Sequence, residues 1–338
     1  MKRLIAFAHA ANDPACRFRI GQYIPDLEKA GWEVSLRVRR PAYPWKTSWP
    51  GAAYACRRLR RRWDIRQAGK FNAVFLNRDL LEGKWLYESL LFERNRRVVF
   101  DFDDAIFLGE KALHIGKICQ QAAWTIAGNE QLADFARRYS TRVSVIPTVI
   151  DTTRYAASPH SGGRPVRVGW MGSDQSIRET LVPHLGLLAK LQSQLAFELI
   201  VVSGSMPEFP PKSPEFRFIP WNPTVETQIA GWFDIGIMPL VDEPFQRGKC
   251  GCKLLQYMSA SLPVVASPVG INRQLVDSSR GLLASSPEEW SNALAKLIAD
   301  APLRAAMGRA GRVFVEQHYS LQKWFPRWLA IIESVAAA

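Results

Sequence analysis

Residues 236–272 read GIMPLVDEPFQRGKCGCKLLQYMSASLPVVASPVGIN. The stretch opens within an apolar run, 235–240, which has the length of a buried strand. A second β-branched run follows at 262–267. Between the two, residues 253–260 place apolar side chains at helical spacing, and Pro263 cannot extend that helix. The stretch therefore predicts a strand, a loop, a helix and a second strand, as in a parallel α/β sheet.

The loop before the predicted helix has the features of an anion site. Gly248 and Gly251 allow backbone N–H groups to approach a ligand closely. Three cations surround the helix start, namely Arg247, Lys249 and Lys253. A helix N-terminus with nearby cations binds phosphate, and Gln256 shares a helix face with Lys253. The pattern predicts a nucleotide diphosphate here, with Gln256 on a neighbouring hydroxyl. The alternative is a solvated basic loop before a core helix.

Residues 253–270, KLLQYMSASLPVVASPVG, resemble the donor-binding signature of the family 4 glycosyltransferases, which have the GT-B fold. That signature typically reads K-x-x-E-Y-M-A-x-G-x-P-V-V-A-S. The likeness continues through residues 280–321 and through the N-terminal half, so it covers nearly the whole chain. It implies an α/β protein with two Rossmann-like domains facing a central cleft.

The chain departs from the family pattern at identifiable positions. The family's two glutamates, eight residues apart, fall on Gly248 and Gln256. In the family the second glutamate binds the donor ribose, and Gln256 can do so as a neutral group. Many relatives carry an arginine and a lysine for the diphosphate where this chain has Trp170 and Ser176. The resemblance therefore leaves side-chain binding of the diphosphate to the cations of the loop.

The composition fits two soluble domains. The chain has 338 residues, of which 47% are hydrophobic and 22% charged. That length allows each of two domains to bury its own core. The sequence contains no run of about 18 apolar residues, so it predicts no membrane span. The N-terminal residues predict a first strand rather than an export signal. The five cysteines show no framework of paired spacings, which predicts reduced thiols and a cytoplasmic protein.

The positive charge is concentrated in residues 37–67. A net charge of +13 calls for a polyanionic neighbour. This segment combines many arginines with Trp45, Trp49 and Trp63, which suits the surface of an anionic membrane. Nucleic acid is a rival partner, but no nucleic-acid motif accompanies the patch, and we expect none to bind. A solvated helix face is the second alternative. We expect a peripheral protein on the inner face of the cell membrane.

Residues 1–150 alternate strand-like and helix-like segments, which predicts a parallel sheet covered on both faces. The strand-like segments are 3–10, 32–38, 72–77, 97–102, 124–129 and 142–148. Ligands of such sheets bind at the carboxyl ends of strands. Arg17 and Arg19 follow the first strand, and Arg78 follows the third. We expect these arginines to bind the acceptor, for example through a phosphate, unless they only cap the surface.

The sequence DFDDA follows the fourth strand-like segment and contains Asp101, Asp103 and Asp104. Clustered carboxylates are costly unless they are solvated, paired or used. Relatives end this strand in a His-Asp or His-Gly pair, and the similarity places Asp103 at the histidine position. It implies that Asp103 or Asp104 contacts the acceptor hydroxyl or the donor sugar. A carboxylate with a raised pKa would act there as a general base. The alternative is a helix N-cap, and a metal-binding Asp-x-Asp site is disfavoured.

The sequence also predicts the domain limits. Residues 155–165 are rich in small residues, proline and glycine, as in an interdomain connection. The predicted division is an N-terminal domain at 1–155, a linker at 156–165, a C-terminal domain at 166–318 and a C-terminal helix at 319–338. The resemblance implies that this last helix crosses back to the first domain. The second domain opens with a strand whose end, Gly172 and Ser173, offers donors to a phosphate. Trp221 either stacks on the nucleotide base or fills the core.

The resemblance implies a metal-independent, retaining glycosyltransferase. The donor would be a nucleotide-diphosphate sugar, and the acceptor a glycan or lipid-linked molecule, as in bacterial surface polysaccharide assembly. No metal or other cofactor is expected. Two alternatives remain from the residues. One is a sugar-nucleotide epimerase on the same fold, and the other is a non-catalytic nucleotide-binding or scaffold protein, because both family glutamates are replaced.

Overall fold

The computed structural model describes residues 1–41, 47–81, 83–158 and 165–338. The chain forms two compact units. The first unit comprises residues 1–149 and 321–338, and the second comprises residues 150–320. Each unit is built on a six-stranded sheet in which all pairs of neighbouring strands are parallel.

The sheet of the first unit has the strand order β2-β1-β3-β4-β5-β6. Its strands are β1 (Lys2–Ala8), β2 (Trp32–Val38), β3 (Ala73–Asn77), β4 (Val98–Phe102), β5 (Trp124–Ala127) and β6 (Val143–Val145). The central strands are continuous apolar runs because helices cover both faces of a parallel sheet. The strand order reverses beside β1, so the carboxyl ends of β1 and β3 form the topological switch point of this sheet.

Six helices of the first unit follow its strands along the chain. They are α1 (Pro14–Arg19), α2 (Ile24–Lys29), α3 (Pro50–Ala68), α4 (Trp85–Arg94), α5 (Ala112–Gln121) and α6 (Glu130–Arg137). The segment between β1 and β2 forms two helices, α1 and α2, because Pro25 has no N–H for the helical ladder and lies in the first turn of α2 instead. The longest of the six, α3, lies within the basic segment 37–67.

The sheet of the second unit has the order β12-β11-β10-β7-β8-β9. Its strands are β7 (Val166–Met171), β8 (Phe197–Ser203), β9 (Phe216–Pro220), β10 (Ile235–Met238), β11 (Val264–Ala266) and β12 (Gly281–Leu283). This is the order of a dinucleotide-binding Rossmann sheet, and its switch point lies between β7 and β10.

The described part of the second unit contains eight α-helices. They are α7 (Asp174–Ser176), α8 (Leu185–Gln194), α9 (Pro223–Thr227), α10 (Pro244–Arg247), α11 (Cys252–Ser259), α12 (Asn272–Leu275), α13 (Pro287–Ala299) and α14 (Ala301–His318). The segment between α7 and α8 forms a π-helical turn and a 3-10 turn, at Ile177–Leu181 and Val182–His184. The second turn contains Pro183, which cannot donate to a regular helix.

The last helix, α15 (Leu321–Ala337), packs in the core of the first unit. Its Trp328 ring stacks on Tyr23 with the ring centroids 4.8 Å apart. The units divide at 149–150 and 320–321. Residues 159–164 of the predicted linker lie outside the described residues. None of the helices in the described ranges has the length and apolar composition needed to cross a bilayer.

Candidate active site

The two donor-site segments predicted from the sequence meet at the switch point of the second sheet. Gly172 and Ser173 follow β7, and the cationic loop 247–253 lies between β10 and α11. Strands β7 and β10 are paired neighbours and run in the same direction. Their carboxyl ends therefore lie side by side, which is where open parallel sheets bind ligands.

Lys253 connects these two segments. Its ammonium nitrogen lies 4.4 Å from the centroid of the Trp170 ring, within range of a cation–π interaction. A Cβ atom on Gly172 would lie 2.9 Å from Lys253 Cε and 2.5 Å from the Trp170 ring. Only glycine fits between them without displacing a neighbour. Lys253 thus places a cation at the end of β7, where the family resemblance puts an arginine and this chain has Trp170.

The start of α11 depends on two glycines with left-handed backbones. Gly251 is the N-cap with φ 67°, and a Cβ there would lie 2.3 Å from Leu275. A glycine N-cap supplies no side-chain acceptor to the first-turn N–H groups, and the helix dipole favours an anion at this end. Gly270 has φ 54°, and its Cβ would lie 2.3 Å from Arg247 O. The close approach packs the turn before α12 against the cationic loop.

The other two cations of the loop have different surroundings. Lys249 Nζ lies 4.9 Å from the centroid of the Phe245 ring. Arg247 Nε donates to Asp242 Oδ1 at 2.7 Å, and both side chains are about half exposed. An ion pair this exposed is screened by solvent and contributes little to stability. A phosphate can therefore replace Asp242 as the partner of Arg247 at little cost.

Gln256 is buried one turn into α11. Its Nε2 donates to the Tyr155 hydroxyl at 3.1 Å, and Cys252 Sγ donates to its Oε1 at 3.7 Å. Ser173 accepts from Ser176 N at 3.2 Å and caps α7. The structure therefore gives both predicted ligand contacts an internal partner as well.

Trp221 lies apart from the cationic loop. It follows β9, which β8 separates from β7. Two strand spacings place β9 about 10 Å from β7. The Trp221 ring is partly exposed, and its Nε1 donates to Glu226 Oε2 at 3.1 Å.

In the first unit, Arg78 joins the two predicted catalytic carboxylates in one cluster. Its Nη2 donates to Asp103 Oδ1 at 2.9 Å and to Asp104 Oδ2 at 2.5 Å. Its backbone has φ 61°, a left-handed conformation that side-chain-bearing residues adopt rarely and that recurs at functional sites. The N-cap alternative for these carboxylates is wrong, because both bind a guanidinium rather than a helix start. Arg78 pairs with both carboxylates and so orients them, and its predicted contact with an acceptor stays a prediction.

The charge state of Asp103 differs from the one expected for a general base. Burial alone would raise the pKa of Asp103, but Arg78 and then Arg19 outweigh it and hold the pKa below its usual value. A general base at neutral pH needs the opposite shift. The expectation of a raised pKa at Asp103 is therefore corrected, and the ionised carboxylate is suited to accept a hydrogen bond.

Arg19 lies in the interior of the first unit and not at its surface. Its Nε and Nη2 donate to the Asp101 carboxylate, and its Nη1 donates to Ile146 O at 2.9 Å. Asn77 Nδ2 donates to the same carboxylate at 2.9 Å. Both expectations for Arg19, an acceptor phosphate or a surface cap, are wrong because 2% of the residue is exposed. Arg17 remains partly exposed, with its guanidinium over the Phe18 ring.

The first unit also contains a buried carboxylate next to an imidazole, Glu88 and His114, which was not predicted from the sequence. Glu88 is fully buried, its Oε1 accepts from Leu80 N at 2.6 Å, and His114 Nε2 lies 3.8 Å from the same oxygen. Burial raises the pKa of Glu88 to about 7. Burial also lowers the pKa of His114. Nearby, His9 Nε2 lies 3.4 Å from Asp79 Oδ1. The position of His9 at the end of β1 was the one available signal in the sequence.

Comparisons with known proteins agree with this architecture. Residues 175–300 match the family described as "Glycosyl transferases group 1". Sucrose-phosphate synthase from Thermosynechococcus elongatus is similar over 100% of both chains, with a TM-score of 0.74 and 15% identity. Anabaena HepE, solved with UDP and glucose, has a TM-score of 0.68 and 14% identity over 99% of this chain and 100% of its own.

A third solved structure, a glycosyltransferase from Rickettsia africae, covers 99% of this chain and 98% of its own with a TM-score of 0.71 and 11% identity. A search among curated proteins found no match. At these identities the likeness shows the fold. The chain has the two-domain Rossmann-like GT-B fold, as expected, and the group 1 match over the second unit supports a transferase activity.

Proposed function

We propose that this protein transfers a sugar from a nucleotide-diphosphate sugar to an acceptor, without a metal ion. The observation that carries the proposal is the position of Lys253. This residue belongs to the segment 175–300 that matches the glycosyl transferases, and its side chain reaches the end of β7 beside Gly172. The loop has three cations and no acid between 246 and 256. Fixed cations and helix N–H dipoles stabilise the charge that develops on a departing diphosphate.

The donor end of the proposal concerns the second unit. Solved HepE binds UDP and UDP-glucose, which supports a sugar nucleotide as the donor of this chain. We infer that the diphosphate lies between Gly172 and the start of α11, where glycine allows close backbone approach. Lys253 would contact the phosphates, and Gln256 would bind the ribose as a neutral group. UDP is the first nucleotide to test.

The acceptor end of the proposal concerns the first unit. Asp103 and Asp104, oriented by Arg78, would accept a hydrogen bond from the acceptor hydroxyl. We extend the proposal to membership of glycosyltransferase family 4 and retention at the anomeric carbon, both supported by the resemblance of residues 253–270. A glycan or lipid-linked acceptor of bacterial surface polysaccharide assembly fits the same resemblance.

The proposed location is the cytoplasmic face of the cell membrane. Segment 37–67 contains ten Lys and Arg residues and one Asp. Trp49 and Trp63 are 79% and 53% exposed. Trp45 lies outside the described residues. Aromatic residues among clustered cations favour an anionic membrane surface.

Release of nucleotide from a donor panel tests the proposed reaction. The purified protein would be incubated with UDP-, GDP-, ADP- and dTDP-sugars in excess EDTA, and the nucleoside diphosphate and the sugar would be quantified. We expect one donor to yield its diphosphate and free sugar slowly, with water as acceptor, at a rate that EDTA does not change. An epimerase would instead produce a new sugar nucleotide, and binding without any product would indicate a non-catalytic protein.

A further inference from the structure

A groove in the first unit combines basic and apolar walls. Residues of the edge strand β2 and of α3 line it, and its volume is about 280 Å³. The apolar walls come from Leu36, Val38 and Trp63, and the basic walls come from Arg37, Arg40 and Arg60.

The charges that line the groove are not balanced. Asp64 is the one acid among the lining residues, against three guanidinium groups. Arg37 Nε and Asp64 Oδ1 are 3.8 Å apart, which is too long for a hydrogen bond. Arg37 Nε is buried and has no hydrogen-bond partner among the described residues. A guanidinium group donates a fixed fork of hydrogen bonds that fits phosphate oxygens.

The outer face of α3 continues this surface. Leu59 and Trp63 are four residues apart and therefore share a helix face, with 66% and 53% of their surfaces exposed. Arg62 and Arg66 are exposed between and beyond them. Exposed large apolar side chains beside arginines suit the boundary between lipid headgroups and acyl chains. A polynucleotide backbone would use the cations but would leave the apolar side chains in water.

We propose that this groove binds the phosphate of an anionic bilayer lipid, with Trp63 in the headgroup layer beside it. The proposal deepens the proposed membrane location and rests on it. Arg40 and Arg60 would bind the phosphodiester together with Arg37. Leu59 would enter the upper acyl region from the adjacent face of α3.

Vesicle co-sedimentation of the full chain tests this site. We expect binding to phosphatidylcholine vesicles that contain about 30% phosphatidylglycerol, and little binding to pure phosphatidylcholine. Arg40→Glu with Arg60→Glu should reduce the partition coefficient at least about tenfold. The matched control is Arg94→Glu with Arg96→Glu, which makes the same charge change at exposed positions of the same unit. The control should retain the partition coefficient within about twofold.

Three results would overturn the proposal. Equal losses in the two double variants would show general electrostatic adhesion instead of a site. Displacement of the vesicles by equimolar short RNA would assign the groove to nucleic acid. A third contradicting result is tighter binding to phosphatidylcholine vesicles that contain a polyprenyl diphosphate than to phosphatidylglycerol vesicles of the same net charge. That result would assign the groove to the acceptor. UDP affinity, measured on every variant, reports on the second unit and so separates failure of this site from failure of the proposed transferase.

Discussion

The two switch points differ in how their charges are compensated. At the one in the first unit, Arg78 pairs with Asp103 and Asp104, and Arg39 Nη2 lies 3.5 Å from Asp79 Oδ1. At the one in the second unit, residues 246–256 contain three cations and no acid, and of these cations Arg247 forms an exposed ion pair with Asp242. Charges that already pair within the protein fix side chains in place, whereas an excess of one sign attracts a ligand of the other sign.

This difference in charge supports the proposal that the second unit binds the diphosphate. The carboxylate cluster of the first unit would repel phosphates, and its ionised Asp103 is suited to a hydroxyl. The cationic loop of the second unit would attract them, and its glycines allow backbone contact. The proposed binding of the donor by the second unit is thus supported by the charges of the loop as well as by the family match over 175–300.

Removal of Arg78 should break the paired network of the first unit. Arg78→Ala leaves two largely buried carboxylates without their guanidinium, and we expect a loss of about 3 kcal/mol in the free energy of unfolding at pH 7. The pKa of Asp103 is depressed in the folded protein, so its stabilisation is present above the unfolded pKa of about 4 and is lost as the pH falls further. Urea unfolding at pH 7 and below pH 4 should show the difference shrinking.

The matched control for this change is Arg138→Ala, at an exposed position of the same unit. It should alter the free energy of unfolding by less than about 0.5 kcal/mol. An Arg78→Ala variant as stable as this control at pH 7 would contradict the paired network.

Glu88 is a buried carboxylate of the first unit that contrasts with Asp103 and Asp104. Its closest hydrogen bond comes from a backbone N–H and not from an arginine. Its pKa is raised to about 7, so ionisation destabilises the fold as the pH rises from about 4 to 7. Glu88→Gln keeps an acceptor for Leu80 N and removes the charge. We expect the advantage of the variant over the wild type in the free energy of unfolding to grow by about 2.5 kcal/mol between pH 5 and pH 8.

Thermal or urea unfolding between pH 5 and pH 8 measures this effect. Glu93→Gln, on the exposed side of the same helix, is the control and should leave the pH dependence unchanged. Parallel pH profiles of the wild type and Glu88→Gln would show that Glu88 does not titrate in this range.

Gly172→Ala should perturb the second switch point with a smaller effect. The added Cβ would displace Lys253 or the Trp170 ring, because it would lie within 3 Å of both. We expect about a tenfold loss of UDP affinity, which corresponds to about 1.4 kcal/mol. Gly186→Ala adds a Cβ that meets nothing within 4 Å and should leave the affinity unchanged. If Gly172→Ala binds UDP as tightly as the wild type does, the end of β7 is not part of the donor site.

The strands could be predicted from the sequence because buried parallel strands are continuous apolar runs. The predicted strand 235–240 contains β10 (Ile235–Met238), and the helix predicted at 253–260 corresponds to α11 (Cys252–Ser259). Local signals of this kind do not need the tertiary fold. The helix breaks near Pro25 and Pro183 were not predicted from the sequence, because a proline permits either a helix start or a break.

The state of the charged residues could not be predicted in the same way. Arg19 and Asp101 are 82 residues apart in the chain, and Arg78 and Asp104 are 26 residues apart. Spacing along the sequence does not show that a strand-end arginine turns inward to a carboxylate of another strand. The predicted acceptor role of Arg19 and the raised pKa of Asp103 failed for this reason.

The central claim is that the cationic loop of the second unit binds the diphosphate of the donor. Calorimetric titration with UDP of the wild type, Lys253→Ala and the exposed control Lys296→Ala tests it most directly. We predict that Lys253→Ala weakens binding by about 10- to 100-fold, or about 1.4–2.7 kcal/mol, while Lys296→Ala binds as the wild type does. Equal UDP affinity in the wild type and Lys253→Ala would contradict the claim.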